Sequence, residues 1–134
     1  MDEKSAPAGR RHLRVTLSVL LAALCVSLFF IIKLKPSGAG AFVFLSIWLS
    51  VPYAAMAALL LYLQRGEMSL LPWCVAVVSV AIGGIYVLVD VIYLHPDAQG
   101  TIAVVLTPVL QGIAFLVVAP LAWWAAKRTS GRQA

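Results

Sequence analysis

The chain has 134 residues, of which 63% are hydrophobic and 11% are charged, and it carries a formal net charge of +5. A soluble domain usually has about 45–50% apolar and about 25% charged residues. The composition therefore argues against a soluble enzyme, a secreted disulfide scaffold and a disordered protein. With a mean hydropathy of +1.00, the chain is predicted to be an integral membrane protein with a single domain.

Four apolar stretches are long enough to span a bilayer, which takes about 20 residues in a helix. They cover about 15–32, 39–63, 70–93 and 101–126. Because a segment in lipid must satisfy its own backbone hydrogen bonds, each stretch is predicted to be a helix. The predicted fold is an all-α bundle of four transmembrane helices. Residues 1–14 and 127–134 are expected to form short basic cytoplasmic tails.

Lys and Arg are unevenly distributed between the two predicted sides. Eight of the ten lie in the tails and the second loop, whereas Lys33 and Lys35 lie in the first loop. Positive residues favour the cytoplasmic side, so both termini are predicted to be cytoplasmic. Aromatic residues of the kind that favour an interface fall at that same side, namely Tyr62, Trp73, Trp123 and Trp124. The short loops favour a bacterial inner membrane.

The first span has some features of a signal peptide. Arg10 and Arg11 precede it, and the small residues 39–41 resemble a cleavage site. However, its apolar stretch of about 18 residues exceeds the usual 7–15, and Lys33 and Lys35 separate it from that site. We interpret the segment as a retained helix.

Small residues recur at helical spacing within the spans. Ser46, Ser50, Ala54 and Ala58 are each four residues apart, and Gly83 lies in the third span. Helices in membranes associate through such close-packing faces. These residues are predicted to pack helices within a compact bundle. A homodimer through the 46–58 face is the alternative.

Asp90 lies inside the third span, about four residues from its outer end. A carboxylate in a span is a functional candidate because it is costly without a partner. Tyr86 and Tyr93 share its helical face and are predicted donors, and Lys33 or Lys35 is a predicted counter-ion. Two interpretations are open: an aspartate held at the interface for structural reasons, or a proton or cation site.

Gln111 falls near the middle of the fourth span, where its carboxamide needs partners. A polar cluster in the outer half of the bundle is predicted, formed by Ser46, Ser50, Tyr53, Tyr86, Asp90, Thr107 and Gln111. It is expected to be either an interhelical hydrogen-bond network or an outward-facing site for a small solute or ion.

Three prolines also lie within the spans, at Pro52, Pro108 and Pro120. Each leaves the carbonyl four residues earlier without its helical donor. For Pro108 this is the carbonyl of Val104. We expect kinks that fix packing, and a hinge is the alternative.

Other chemistry is weakly represented. Cys25 and Cys74 have no metal-ligand spacing, and His95 with Asp97 and Asp90 offers at most three ligands. We therefore expect no metal, no cofactor and no enzymatic activity. The excess of Lys and Arg on the cytoplasmic side explains the positive charge, so we expect no nucleic-acid partner. Contact with anionic lipid headgroups is predicted for Arg10, Arg11 and Arg14.

The absence of catalytic motifs and the minimal loops favour a structural or accessory subunit of a membrane complex. Its partner would be another membrane protein or a second copy of the chain. The alternative is a homo-oligomeric transporter of a small solute, ion or proton, with a site around Asp90 and Gln111.

Overall fold

The computed structural model describes residues 5–66, 68–96 and 100–131. Within these residues the chain is helical and contains no strand. The elements are α1 (Ser5–Leu34), α2 (Ala39–Leu63), α3 (Leu71–Val89), a π-helical segment that continues α3 (Asp90–Leu94), and α4 (Gly100–Gly131).

Each helix contains a segment long and apolar enough to cross a membrane: Gly9–Leu34, Ala39–Leu63, Leu71–Leu94 and Ile102–Gly131. The prediction of an all-α chain with four such helices is confirmed. The helix ends differ from the predicted spans, because α1 begins at Ser5 and α4 ends at Gly131. Much of the sequence predicted as tails is therefore helical.

The helices form a four-membered ring. α3 and α4 make the most extensive contact, α1 packs on α2 and α3, and α4 also packs on α2. Direct contact between α2 and α3 is slight. Although α2 and α3 are consecutive, they lie across the ring from each other, so a side chain at its centre can meet all four helices.

The two ends of the ring differ in charge. At one end, the Ser69 backbone N–H near the start of α3 donates to Ser130 Oγ in α4, at 3.2 Å. This end, the basic end, carries the described residues Arg10, Arg11, Arg14, Arg65, Lys127 and Arg128. At the opposite end, the rings of Phe30 and Tyr93 lie 5.9 Å apart. The uneven charge that predicted the orientation thus corresponds to two physical ends of the bundle.

Two clusters of buried side chains fill the interior. One extends from the basic end to the middle of the bundle and includes Met56, Leu60 and Val77. The other lies towards the opposite end and is formed by Phe30, Ile31, Leu45, Leu49, Leu88 and Val104. Tight packing of this kind supplies much of the attraction between helices in lipid.

The small residues predicted as packing faces lie mostly outside these contacts. Ala54, Ala58 and Gly83 are exposed, and Ser46 is partly buried. At Gly83, no other described group lies within 4 Å of the position that a Cβ would take. The close approach on α3 occurs one residue later, at Gly84. A role for the 46–58 face in association between molecules stays a prediction.

Pro52, Pro108 and Pro120 all lie within continuous helices. Near Pro108, the indole Nε1 of Trp48 donates to the backbone carbonyl of Val105 at 2.7 Å. Val105 directly follows Val104, whose carbonyl Pro108 leaves without its helical donor. The bond therefore ties α2 to α4 where the backbone hydrogen bonding of α4 is interrupted.

Candidate functional site

Three polar side chains from three helices meet at the centre of the ring. Ser27 of α1, Tyr53 of α2 and Gln111 of α4 are exposed by only 0%, 3% and 3%. We call these three residues the central node. The tyrosine hydroxyl lies 2.9 Å from Ser27 Oγ, and Gln111 Nε2 donates to it at 3.3 Å.

The hydrogen bonds of the central node run in one direction. Ser27 uses its hydroxyl proton to donate to the carbonyl of Ala23, at 2.9 Å. The shared proton between Tyr53 and Ser27 must therefore come from the tyrosine, which in turn accepts from Gln111. The chain of donors runs from α4 through α2 to α1 and ends on a backbone carbonyl.

One acceptor in the central node has no hydrogen-bond partner among the described residues. The carbonyl oxygen of Gln111, Oε1, is buried and unpaired. A buried acceptor without a partner costs free energy. It is the one atom of the node that a donor from elsewhere would satisfy.

The remaining helix, α3, contributes to the central node because Gly84 has no side chain. A Cβ at Gly84 of α3 would overlap the side-chain amide of Gln111. Gly84 therefore allows the glutamine to lie directly against the α3 backbone on its way to Tyr53. The adjacent Gly83 faces outwards, into a groove of about 310 Å³ between α3 and α4 that Gln111 also lines.

Other hydroxyls of the predicted cluster bond within their own helices. Ser46 donates to Phe42 O, Ser50 to Ser46 O, and Thr107 to Ala103 O, each four residues earlier. Such bonds satisfy the hydroxyl without joining two helices. Thr107 is buried beside the node, but none of these three side chains belongs to it.

Asp90 lies apart from the central node, at the start of the π-helical segment. Its Oδ1 lies 3.0 Å from Nδ1 of His95, with the two side chains 35% and 81% exposed, respectively. The backbone N–H of His95 also donates to the carbonyl of Asp90 at 2.8 Å. A π-helix joins residues five apart, and this is what brings the histidine over the carboxylate.

The residues predicted as partners of Asp90 make other contacts in the structure. Tyr86 is 65% exposed, although the helix between it and Asp90 is a regular α-helix, and Tyr93, which follows Asp90 in the π-helical segment, packs edge-on against Phe30. Lys33 places its ammonium over the Phe29 ring, 5.5 Å from the centroid. The observed partner, His95, is instead supplied by the change in helical pitch.

The predicted polar cluster therefore divides in two. Tyr53 and Gln111 come together, as expected, whereas Asp90 lies towards the opposite end and Tyr86 is exposed on the outside of α3. Sequence reasoning missed Ser27, whose only signal was a polar residue within an apolar span. Asp90 is six residues beyond Gly84, or about 9 Å along the helix axis.

Metal-ligating residues do not cluster in the described part of the chain, where no three His, Cys, Asp or Glu side chains lie together. Asp97, a candidate ligand, lies outside the described residues. Cys25 is exposed and Cys74 is buried, and both are free thiols.

The basic end combines exposed cations with aromatic rings. Arg10, Arg11 and Arg14 are exposed on α1. On α4, Lys127 Nζ lies 3.9 Å from the centroid of Trp123, and the Arg128 guanidinium lies 3.7 Å from that of Trp124. Such cation–π pairs hold the charged heads beside rings that favour a membrane interface.

Comparison with known proteins adds no family: no protein-family model, curated protein or solved structure matches the chain. The functional argument therefore rests on the central node, the Asp90–His95 pair and the basic end.

Proposed function

We propose that this protein is a non-enzymatic structural or accessory subunit that binds and stabilises a larger membrane complex. The observation that carries the proposal is the central node, which links α1, α2 and α4 by hydrogen bonds at the middle of the ring. A hydrogen-bonded centre suits a rigid helical unit better than a passage through it. The protein would then act through its outer surface.

The surface feature that best fits a helical partner is the outward face of α2. Ala54 and Ala58 are exposed there, one helical turn apart. Small residues allow the backbone of a second helix to approach closely, which is how helices associate in lipid. We propose the membrane orientation with the basic end in the cytoplasm, in a bacterial inner membrane, because of the positive-inside bias.

The test is purification of the tagged protein from its own host in a mild detergent, with native mass and protein identification on the same fraction. We expect stoichiometric recovery of a larger membrane protein. Ala54→Trp should abolish this recovery, because an indole on α2 prevents close helix approach. Ala22→Trp, at an exposed alanine on α1, is the matched control and should retain the partner.

A homo-oligomeric transporter is the second candidate, and the unpaired Gln111 Oε1 is the observation that favours it. A solute with a hydrogen-bond donor would satisfy that oxygen. This candidate predicts a defined homo-oligomer without a partner, together with a flux that is lost in Gln111→Leu. Recovery of such an oligomer would overturn the accessory-subunit proposal.

A further inference from the structure

A second groove, larger than the one beside Gly83, lies between α1 and α3. It has a volume of about 840 Å³, within the range of ligand sites in proteins. Apolar side chains from both helices form most of its wall: Val15, Leu71, Val75 and Val78. Arg11 and His12 line the same groove. Thr16 and Ser79 also line it, so the groove is mainly apolar and is cationic at one position.

The cationic position coincides with the basic end. α1 and α3 both begin at this end, so Arg11 and His12 lie beside Leu71 at the start of α3. From Leu71 the groove follows α3 to Ser79, a rise of about 12 Å for eight residues. Its polar part thus lies where headgroups are found, and its apolar part extends towards the bilayer centre.

Charge complementarity determines the kind of occupant. Among the described residues the only acidic side chain is Asp90, which lies at the opposite end and pairs with His95. Arg11 has no described carboxylate near it, and Arg10 and Arg14 add further positive charge to the same end. A molecule with an anionic head and an apolar tail matches both parts of the groove.

The geometry points to a specific site for one anionic phospholipid of the bilayer in the α1–α3 groove. Its phosphate would be bound by Arg11 and His12, and an acyl chain would lie along Val15, Leu71, Val75 and Val78. This goes beyond general attraction of the basic end to lipid, because it assigns different roles to neighbouring arginines. Arg11 lines the groove, whereas Arg14 does not.

The experiment is native mass spectrometry of the full chain released from nanodiscs that contain equal amounts of dioleoyl phosphatidylglycerol and dioleoyl phosphatidylcholine. We expect one retained phospholipid, with phosphatidylglycerol preferred about fivefold, the effect of one positive residue near a membrane surface. Arg11→Gln should abolish the preference. Arg14→Gln makes the same change in net charge and should alter the preference less than about twofold.

A second pair of variants tests the apolar part of the groove. Val75→Trp should displace the retained phospholipid of either type, because the indole fills the groove from an exposed position that needs no space in the core. Ile113→Trp, at a similarly exposed position on α4, should retain it. Should Val75→Trp fail to fold, the arginine pair still decides.

Four results would overturn the proposal. Equal loss of preference in Arg11→Gln and Arg14→Gln would mean diffuse surface charge. Retention of phospholipid by folded Val75→Trp would place the lipid elsewhere. Displacement of the phospholipid by inorganic phosphate alone would mean that the groove binds a free anion and that the acyl chain contributes nothing to binding. A dimer mass that disappears in Val75→Trp would mean that a second copy of the chain occupies the groove.

Discussion

The two polar regions of this protein, the central node and the Asp90–His95 pair, satisfy their hydrogen-bonding groups in opposite ways. Ser27, Tyr53 and Gln111 come from three helices and are almost fully buried, so their polar groups depend on one another. Asp90 and His95 are close in sequence, and their side chains are 35% and 81% exposed. The charged residue of the third span therefore pairs within its own segment, whereas the uncharged side chains of the central node join three helices.

The difference follows from what each region would lose. A buried hydrogen-bonding group that loses its partner pays the full desolvation penalty, whereas an exposed one can exchange its partner for water. Exposed ion pairs are accordingly worth about 0–1 kcal/mol. The central node should therefore be sensitive to substitution and the Asp90–His95 pair tolerant of it.

The largest effect is expected at the glycine that admits Gln111. Gly84→Ala places a methyl group against the glutamine amide and should displace it from Tyr53, lowering the free energy of unfolding by about 1–3 kcal/mol. Gly83→Ala is the matched control, with the same gain in helix propensity and open space around the new methyl group. The measurement is reversible unfolding by dodecyl sulfate in mixed micelles, followed by circular dichroism.

The double variant Gly84→Ala/Gln111→Ala makes this prediction sharper. Removing the glutamine side chain should restore part of the stability lost in Gly84→Ala, since the overlapping atoms are gone. Equal stability of Gly84→Ala and Gly83→Ala would contradict the close contact between α3 and Gln111.

The next effect is expected for Tyr53→Phe, which removes the hydroxyl at the middle of the central node and leaves the Gln111 amide without its partner. Hydrogen bonds between membrane helices are worth about 0.6–2 kcal/mol, and we expect a loss of this size in the same unfolding measurement. Tyr62→Phe, where the ring is 73% exposed, should change stability by less than about 0.5 kcal/mol. An equal effect of the two substitutions would show that the node contributes nothing.

A smaller loss is expected for Trp48→Phe, which removes the indole donor to Val105 O but keeps an aromatic ring. We expect a decrease of about 0.5–1.5 kcal/mol in the free energy of unfolding. Amide hydrogen exchange of α4 should also become faster near Pro108. Trp124→Phe at the exposed basic end serves as the control. If exchange near Pro108 became faster in Trp124→Phe and not in Trp48→Phe, the result would argue against the proposed tie between α2 and α4.

The smallest effect is expected for Asp90→Asn. The side chain keeps its shape, and its pair with His95 is exposed, so the free energy of unfolding should change by less than about 1 kcal/mol. His95→Gln should behave alike, and the double variant should show little coupling. A loss above that measured for Tyr53→Phe would reverse the comparison between the two regions.

Much of the architecture was predictable from the sequence because lipid imposes a simple rule. A segment without water must form its backbone hydrogen bonds internally, so four long apolar stretches imply four long helices. Gln111 and Tyr53 were also identifiable as buried partners, since polar groups in such segments need one another. The helix ends were less predictable, because hydropathy indicates which residues can lie in lipid and not where a helix begins or ends. α1 and α4 both extend into segments that were expected to be tails.

The residues that complete each region depended on the three-dimensional arrangement. Ser27 and Gly84 belong to the central node because the ring places α1 and α3 against it. The sequence of one span does not indicate which helix will lie beside it. His95 reaches Asp90 only because α3 changes to a π-helix, in which the residue five positions later, rather than four, lies over the first. Hydropathy determined that four helices form. Packing between them decided which of their few polar side chains meet, because contacts between helices depend on rotation and depth, and an apolar pattern leaves both open.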